Sequence, residues 1–170
     1  MSAPFRELAL RPFLAADTPI LAAIFAASIE QLTADDYDAG QQAAWAALAD
    51  DEPALAERLS RQLTLVATVD GEPVGFASLR GKDHIDMLYV HPAVARRGVA
   101  TSLVDALEKL ASARGAAELT VDASDTAKAF FDRRGYTAQQ RNAIAIGSEW
   151  LGNVSMLKKL PTAHPEGLVQ

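Results

Sequence analysis

The chain has 170 residues, a hydrophobic content of 49%, no cysteine and a formal net charge of −6. This composition suits one domain with an ordinary core, and the lack of cysteine excludes disulfides, thiolate metal sites and a cysteine nucleophile. The acidic balance argues against a nucleic-acid partner, no run is long enough for a membrane span, and the N-terminus lacks the order of a secretory signal, so we expect a cytoplasmic protein.

Helical patterns follow one short strand in the first third of the chain. Residues 7–15 alternate imperfectly, which is typical of a half-buried strand. A helix is predicted over residues 16–32, because a capping residue and Pro19 stand at its start and apolar residues recur at helical spacing. Further helices are predicted over residues 39–49 and 51–62.

Strand patterns dominate the middle of the chain. Residues 64–80 predict two strands joined by a hairpin turn at Asp70-Gly71. The later predicted elements are a strand over 84–92, a helix over 98–114, a strand over 118–124, a short helix over 125–135 and a strand pair over 136–160. On the long helix, Asp105 and Lys109 have the spacing of an ion pair. The order predicts a mixed α/β domain over residues 1–160, with a partly parallel sheet and a flexible tail over 161–170.

Positive charge is concentrated where the long helix begins. The stretch "MLYVHPAVARRGVATS" joins a strand to a helix start through Arg96, Arg97 and Gly98. The first N–H groups of a helix have no internal partner and carry the positive end of the dipole, and a glycine lets an anion approach the backbone. The stretch therefore predicts a phosphate site. The alternative is a solvated basic loop in front of a surface helix.

Two motifs resemble the GNAT acyltransferases, which use acetyl-CoA. Their signature is Gln/Arg-x-x-Gly-x-Gly/Ala, and residues 95–100 read "ARRGVA", with Ala95 in place of the first Gln/Arg. Residues 124–136, "SDTAKAFFDRRGY", are similar to the family's second helix, and Asn153, Met156 and Lys158 fit one bacterial subgroup. The resemblance implies the GNAT fold, a mixed sheet that splays apart at the strand that holds acetyl-CoA.

The resemblance also implies which residues hold acetyl-CoA. The strand before the signature would bind the pantetheine arm through its backbone, and the signature would bind the pyrophosphate. Ser124 and Phe131 would flank the far side of the arm. The implied coenzyme contacts are Leu88, Tyr89, Val90, Arg96, Arg97, Gly98, Val99, Ala100, Thr101, Ser102, Ser124 and Phe131. For the apolar side chains among these, the alternative is a place in the core.

Catalysis by acyl transfer needs a base for the amine and benefits from an acid for the thiolate. Many family members use a tyrosine acid where this chain has Phe131, and Tyr89 or Tyr136 could replace it. Candidate bases are His84 and Asp86, which share one side of their strand with Leu88 by the period-two rule unless a bulge shifts the register. Their alternative role is to begin an exposed strand.

The acceptor pocket of this family is built by the first helices and the last strands. Tyr37, Glu149 and Trp150 are the residues there that could stack on or pair with a substrate, and Trp45 suits the core better. Together with Glu149, the carboxylates of Asp35 and Asp36 favour a cationic acceptor. The implied reaction is transfer of an acetyl group to a primary amine of a small molecule or a peptide.

A rival hypothesis is a non-catalytic acyl-CoA-binding or interaction module with the same fold. Ala95 and Phe131, which depart from the family pattern, favour it. The three histidines are too scattered for a metal site, so no metal is expected. Neither nucleic acid nor a membrane is an expected partner, whereas a homodimer through the late strands is compatible with the sequence.

Overall fold

The structure is a computed structural model that describes residues 7–161. The strands are β1 (Leu8–Pro12), β2 (Leu63–Val69), β3 (Glu72–Arg80), β4 (His84–Val90), β5 (Glu118–Ser124), β6 (Thr137–Ile146) and β7 (Glu149–Lys159). The α-helices are α1 (Thr18–Leu32), α2 (Ala39–Ala46), α3 (Glu52–Arg61), α4 (Val99–Ala113) and α5 (Lys128–Arg133). Short 3-10 turns lie at Ala15–Asp17, Ala47–Asp50 and Pro92–Val94.

All seven strands form one mixed sheet in the order β1-β2-β3-β4-β5-β7-β6. Every neighbouring pair is antiparallel except β4 and β5, which are parallel and are connected by α4. A parallel connection needs a crossover, and α4 with its flanking loops supplies it. The predicted mixed α/β architecture with a partly parallel sheet is confirmed.

Both faces of the sheet are covered, so the core has two layers. On one face α4 packs against β3, β4 and β5, with Leu103 and Leu107 fully buried. On the other face α1 and α3 pack against β2, β3 and β4, with Phe25 and Leu59 almost fully buried. Each such side chain contributes roughly 1.5–3 kcal/mol by leaving water, so the two layers hold β4 firmly in the centre.

A β-bulge interrupts the pairing of β3 with β4. Ser78 lies opposite Met87 while Leu79 lies opposite Ile85, which leaves Asp86 as the extra residue on β4. Before Asp86 an odd-numbered residue faces α4, and after it the even-numbered residues do. Ile85 and Leu88 therefore pack towards α4, whereas Met87 belongs to the cluster around α1.

Local predictions succeeded where turn chemistry decides the structure. Asp70 and Gly71 both have positive φ, 51° and 86°, as a two-residue hairpin turn requires.

Two predicted helix boundaries differ from the structure. The short helix begins at Lys128 instead of residue 125, because the backbone N–H of Ala127 bonds to Ser124 and closes a separate turn. The predicted second helix changes to a 3-10 turn after Ala46.

One predicted ion pair on α4 is wrong. Asp105 binds the guanidinium of Arg134 from the segment after α5, and not Lys109 on its own helix. Arg134 also lies 3.4 Å from Glu108, so two carboxylates of α4 face it. A tertiary partner with two acidic neighbours replaces the weaker pair within the helix.

Candidate active site

The two parallel strands separate soon after they begin. β4 and β5 are paired only at His84 with Thr120 and at Ile85 with Val121. β5 instead pairs with β7 along its whole length. In the described residues, the edge of β4 from Asp86 to Val90 that faces β5 has no strand partner. Main-chain N–H and C=O groups there are free to bind an extended ligand between the strands.

The loop before α4 has an unusual backbone. Gly98, the N-cap of α4, has φ +90°, and Arg96 has φ +62°. A Cβ built on Gly98 would meet no atom within 4 Å, so the space before the helix is open. Consecutive amides in a backbone of alternating hand form anion-binding concavities, and the unpaired N–H groups of the first turn add to this. The exposed Arg96 adds positive charge, so the site suits a phosphate.

A second glycine brings α4 close to the split, the place where β4 and β5 separate. A Cβ on Gly75 of β3 would lie 3.0 Å from the carbonyl oxygen of Tyr89 and 3.2 Å from Cγ1 of Val99. Both distances are shorter than ordinary van der Waals contact, so any side chain here would have to push Val99 or the Tyr89 carbonyl away. The first turn of α4 is thus held directly behind the C-terminal end of β4. The phosphate-type site and the unpaired strand edge lie side by side.

A cavity of about 470 Å³ opens on the α1 side of the split. One wall is β4 from His84 to Tyr89 and the other is β5 from Val121 to Ser124. Its apolar lining comes from α1, the α2 region and the last strands, and comprises Phe25, Ile29, Leu32, Trp45, Leu48, Ile144, Ile146 and Leu151. A molecule in this cavity would reach the backbone of β4 from the side opposite α4.

His84 lies at the inner end of the cavity, where the strands are still paired. Its Nδ1 is 2.8 Å from Oγ1 of Thr120, and that hydroxyl donates to the carbonyl of Asp83. When the hydroxyl gives its single proton to Asp83, Nδ1 carries the imidazole proton and Nε2 keeps its lone pair. Burial, followed by nearby Arg80, lowers the pKa of His84, although Asp122 lies 3.8 Å from Nε2. A neutral imidazole near pH 7 can accept a proton at Nε2.

Asp86 shares this side of β4 but is fully occupied. Its carboxylate accepts hydrogen bonds from Nε of Arg58 at 2.6 Å and from the amide of Gln62 at 2.8 Å, and Nη1 of Arg80 is 3.6 Å away. Burial opposes its ionisation, but the hydrogen bonds from Arg58 and Gln62 outweigh burial and lower its pKa. A carboxylate held in this way is a poor proton acceptor near neutral pH.

The three tyrosines of the chain have different surroundings. The hydroxyl of Tyr37 accepts from the N–H of Asp125 at 2.9 Å and donates to the carbonyl of Gly152 at 2.6 Å. The hydroxyl of Tyr136 donates to Glu108, away from the cavity. Tyr89 lines the cavity, and burial raises its pKa to about 12, so it stays protonated.

The sequence of this chain is similar to those of known acetyltransferases. The family model of the acetyltransferase (GNAT) domain matches residues 33–158. A curated relative, the "Uncharacterized N-acetyltransferase YafP" of Escherichia coli, is 37% identical over 153 residues, which are 90% of this chain and 97% of that protein. The chain belongs to the GNAT acetyltransferase family.

Solved structures agree with the assigned fold. A GCN5-related N-acetyltransferase from Rhodopseudomonas palustris is 62% identical, with a TM-score of 0.90 over 94% of this chain and all of that one. The PaiA N-acetyltransferase of Thermoplasma acidophilum, solved in complex with coenzyme A, is 18% identical with a TM-score of 0.75 over 90% of this chain and 99% of that one. The predicted GNAT fold, splayed between β4 and β5, is confirmed.

Within this GNAT fold, the predicted coenzyme residues fall into three groups. Leu88 and Val90 lie on the unpaired stretch of β4, but their side chains pack on the α4 cluster. Residues 96–102 form the loop and first turn of α4, with Val99 buried and Thr101 exposed. Ser124 and Phe131 line the cavity, where Phe131 is only 1% exposed and presents a ring without a hydroxyl.

The predicted acceptor residues do not gather around the cavity. Tyr37 lines it, whereas Glu149 and Trp150 are not among its lining residues. Glu149 lies against Gly40 at the start of α2, and Trp150 is 65% exposed on the opposite side of β7. The bulge also separates the three residues that were predicted to share one side of β4, because Leu88 packs on the α4 cluster whereas Asp86 binds Arg58 of α3 on the other face of the sheet.

Sequence reasoning missed two arginines and one aspartate at the cavity. Arg58 of α3, Arg80 of β3 and Asp122 of β5 all line it. No short spacing connects them, since each comes from a different element. Among residues 7–161 no group of three or more His, Asp or Glu side chains is placed to hold a metal ion. No helix in that range is long and apolar enough to cross a membrane.

Proposed function

We propose that this chain transfers an acetyl group from acetyl-CoA to a primary amine of a small molecule or a peptide. The observation that carries the proposal is the position of Gly98 and the first turn of α4 beside the unpaired edge of β4. An anion-binding helix start and an open strand edge, side by side, suit a ligand with a diphosphate and an amide-containing arm. When bound, acetyl-CoA supplies an activated acyl group as a thioester.

The backbone has the main task in binding. The amides of the loop and first turn of α4, residues 97–102, would take the diphosphate, with Arg96 and Arg97 as the adjacent charges. The peptide groups of Leu88–Val90 would pair with the arm as a further strand would. A free N–H in this stretch is also suited to stabilise the oxyanion of the tetrahedral intermediate.

His84 is the better candidate for the base. Its Nε2 has a free lone pair and borders the cavity, and Asp122 at 3.8 Å would stabilise the imidazolium that forms. Asp86, whose carboxylate is bound by Arg58 and Gln62, serves instead to position the arginine. The proton of the incoming amine would therefore pass to His84.

Tyr89 is the best candidate for the acid among the tyrosines. It lines the cavity on the β4 stretch that would hold the thioester, whereas Tyr37 and Tyr136 use their hydroxyls elsewhere. Its raised pKa keeps it protonated but makes it a weak acid, so it would assist the departing thiolate chiefly by donating a hydrogen bond. Since a thiolate leaves tolerably well near neutral pH, this residue would assist the reaction without being indispensable.

A second candidate function is a binding module that has kept the fold and lost turnover. Ala95 and Phe131, which differ from the family's common residues, favour it. Calorimetry with acetyl-CoA, combined with a free-thiol release assay over a panel of amines, separates the two. We expect saturable coenzyme binding and thiol release that depends on an amine. Binding without release on any amine would contradict the enzymatic proposal, and absence of binding would contradict both candidates. A cytoplasmic location, the homodimer and the domain boundary at residue 160 stay predictions.

A further inference from the structure

The charged groups of the cavity stand at two sides whose net charges are opposite. Arg58 and Arg80 stand with Asp86 at the α3 side, and Asp122 stands on β5 at the other side. His84 lies between these groups and is neutral near pH 7. The formal charges that line the cavity therefore sum to zero, but the α3 side is positive and the β5 side is negative.

On the α3 side, positive charge exceeds negative charge by one. One carboxylate oxygen of Asp86 accepts a hydrogen bond from Nε of Arg58, and the other is 3.6 Å from Nη1 of Arg80. In the described part of the chain, the two Nη atoms of Arg58 make no further hydrogen bond. The side chains of Arg58 and Arg80 are 48% and 62% exposed, while that of Asp86 is 7% exposed. The buried carboxylate thus holds two guanidinium groups whose outer N–H donors face the cavity or solvent.

On the β5 side, the available charge is negative. One oxygen of Asp122 accepts from Ser155 at 2.7 Å, and the other faces Nε2 of His84. The Asp122 side chain is 48% exposed, so its charge is accessible from the cavity. A cationic amine at this place would lie beside both the proposed base and a compensating carboxylate.

The mouth of the cavity is apolar. Six large hydrophobic side chains among residues 7–161 are well exposed, and half of them line this one cavity: Leu32, Leu48 and Ile144. They come from α1, from the turn after α2 and from β6, so no single element explains their exposure. Apolar side chains that converge on one opening from separate elements indicate an apolar group in the ligand.

We propose that the acceptor is a zwitterionic amino acid with an apolar side chain. Its carboxylate pairs with Arg58 and Arg80, its ammonium group lies beside His84 and Asp122, and its side chain contacts the mouth. This inference rests on the proposed function. In the reaction the ammonium group first loses one proton to water. As the nitrogen then bonds to the acyl carbon, its second proton passes to Nε2 of His84, and the carbon–sulfur bond breaks to release the thiolate.

Binding of the product tests the inference without any turnover. With protein saturated by coenzyme A, calorimetry compares N-acetyl-L-phenylalanine with N-acetylphenethylamine, which has the same ring and amide but no carboxylate. We expect the carboxylate to bind at least about tenfold more tightly, with an advantage that shrinks at high salt. Equal affinities would overturn the proposal.

Three variants test which arginines cause the preference for the carboxylate. Arg80→Gln is exposed and makes one loose contact, so the fold is expected to tolerate it, and Arg58→Gln removes the arginine that Asp86 positions. Each should remove most of the preference for the carboxylate. Arg61→Gln is the matched control, because Arg61 lies on α3, pairs with Glu57 and does not line the cavity. A preference unchanged in both cavity variants would overturn the proposal.

Kinetics complete the test. L-phenylalanine should exceed phenethylamine in kcat/KM because it has the carboxylate, and should exceed alanine because it has the apolar group. A peptide N-terminus or a polyamine as the best acceptor would overturn the inference and leave the proposed acetyl transfer intact. Carboxylate-selective binding with no turnover on any amine would support the subsite and refute the enzymatic function.

Discussion

Nδ1 of His84 lies 2.8 Å from Oγ1 of Thr120, at one of the two positions where β4 and β5 are still paired. The strands separate immediately afterwards, so the imidazole is held at the closed end of the split. This contact fixes the ring through its Nδ1 and leaves Nε2 to the cavity. A candidate base is thus held by the same strand pairing that defines where the sheet opens.

His84→Gln should abolish the acid limb of the pH profile. The pKa of His84 is lowered in the folded protein, so the neutral form persists below pH 6.5 and kcat/KM falls only as the imidazole becomes protonated. We expect a limb with a midpoint below 6.5 in the parent protein, no such limb in the variant, and a loss in rate of about 10²–10⁴-fold. A variant that keeps the limb would show that another group is the base.

The same shift predicts a dependence of stability on pH. Because the folded-state pKa of His84 is depressed, the unfolded chain takes up a proton first as the pH falls. The free energy of unfolding should therefore decrease from about pH 6.5 down to the folded-state pKa. Urea denaturation at several pH values measures the decrease, and it should be smaller in His84→Gln. An identical decrease in both proteins would contradict the assignment.

Gly98→Asp should prevent binding of acetyl-CoA. An acidic side chain would stand in the open space before α4, where a phosphate is expected, and the positive φ adds strain of about 1–2 kcal/mol. Gly115→Asp is the matched control, because Gly115 has φ +87° and equally open surroundings at the other end of α4. Calorimetry should show lost affinity only for the first variant. Equal affinities would contradict the phosphate site.

Gly75→Val should weaken both folding and coenzyme binding. The added side chain would displace Val99 or the carbonyl of Tyr89, so the start of α4 must move away from β4. Overpacking of this kind typically costs about 1–3 kcal/mol of the free energy of unfolding. Thermal denaturation and calorimetry measure the two effects. Gly81→Val, which is strained by the φ of +60° in the turn between β3 and β4, is the control for a general loss of stability and should leave coenzyme binding unchanged. Unchanged binding in Gly75→Val would show that the packing of α4 is irrelevant to the site.

Tyr37→Phe should destabilise the protein by about 1–3 kcal/mol. The variant leaves the N–H of Asp125 and the carbonyl of Gly152 without their partner. Denaturation with urea measures the loss. Trp150→Phe changes an exposed residue of β7, the strand that also contains Gly152, and should change stability by less than about 0.5 kcal/mol. Equal effects would mean that the hydroxyl contributes nothing.

Features that depend on neighbours in the chain could be predicted from the sequence. The Asp70-Gly71 turn and the Gly98 helix start follow from residue types that accept positive φ. The bulge at Asp86 could not be predicted, because it depends on how many residues β3 and β4 contribute to their pairing. It moved Leu88 to the other side of the strand while His84 and Asp86 stayed together.

Side-chain partners distant in sequence were also beyond prediction. Arg58 and Asp86 are 28 residues apart, and Tyr37 and Gly152 are 115 apart. No periodicity indicates which arginine meets a buried carboxylate, since this depends on how α3 packs across β4. Resemblance to the family led to the strand and loop that are proposed to bind the coenzyme, whereas the charged lining of the cavity depends on how separate elements pack together.

The hydroxyl of Tyr37 bridges the two halves of the divided sheet. Its chain segment continues from α1, which packs on β4, while its two partners, Asp125 and Gly152, belong to the half that contains β5 and β7. These two hydrogen bonds therefore tie the segment after α1 to the half of the sheet on the far side of the opening. Moving the two halves apart would require both bonds to break, so the hydroxyl opposes any widening between β4 and β5.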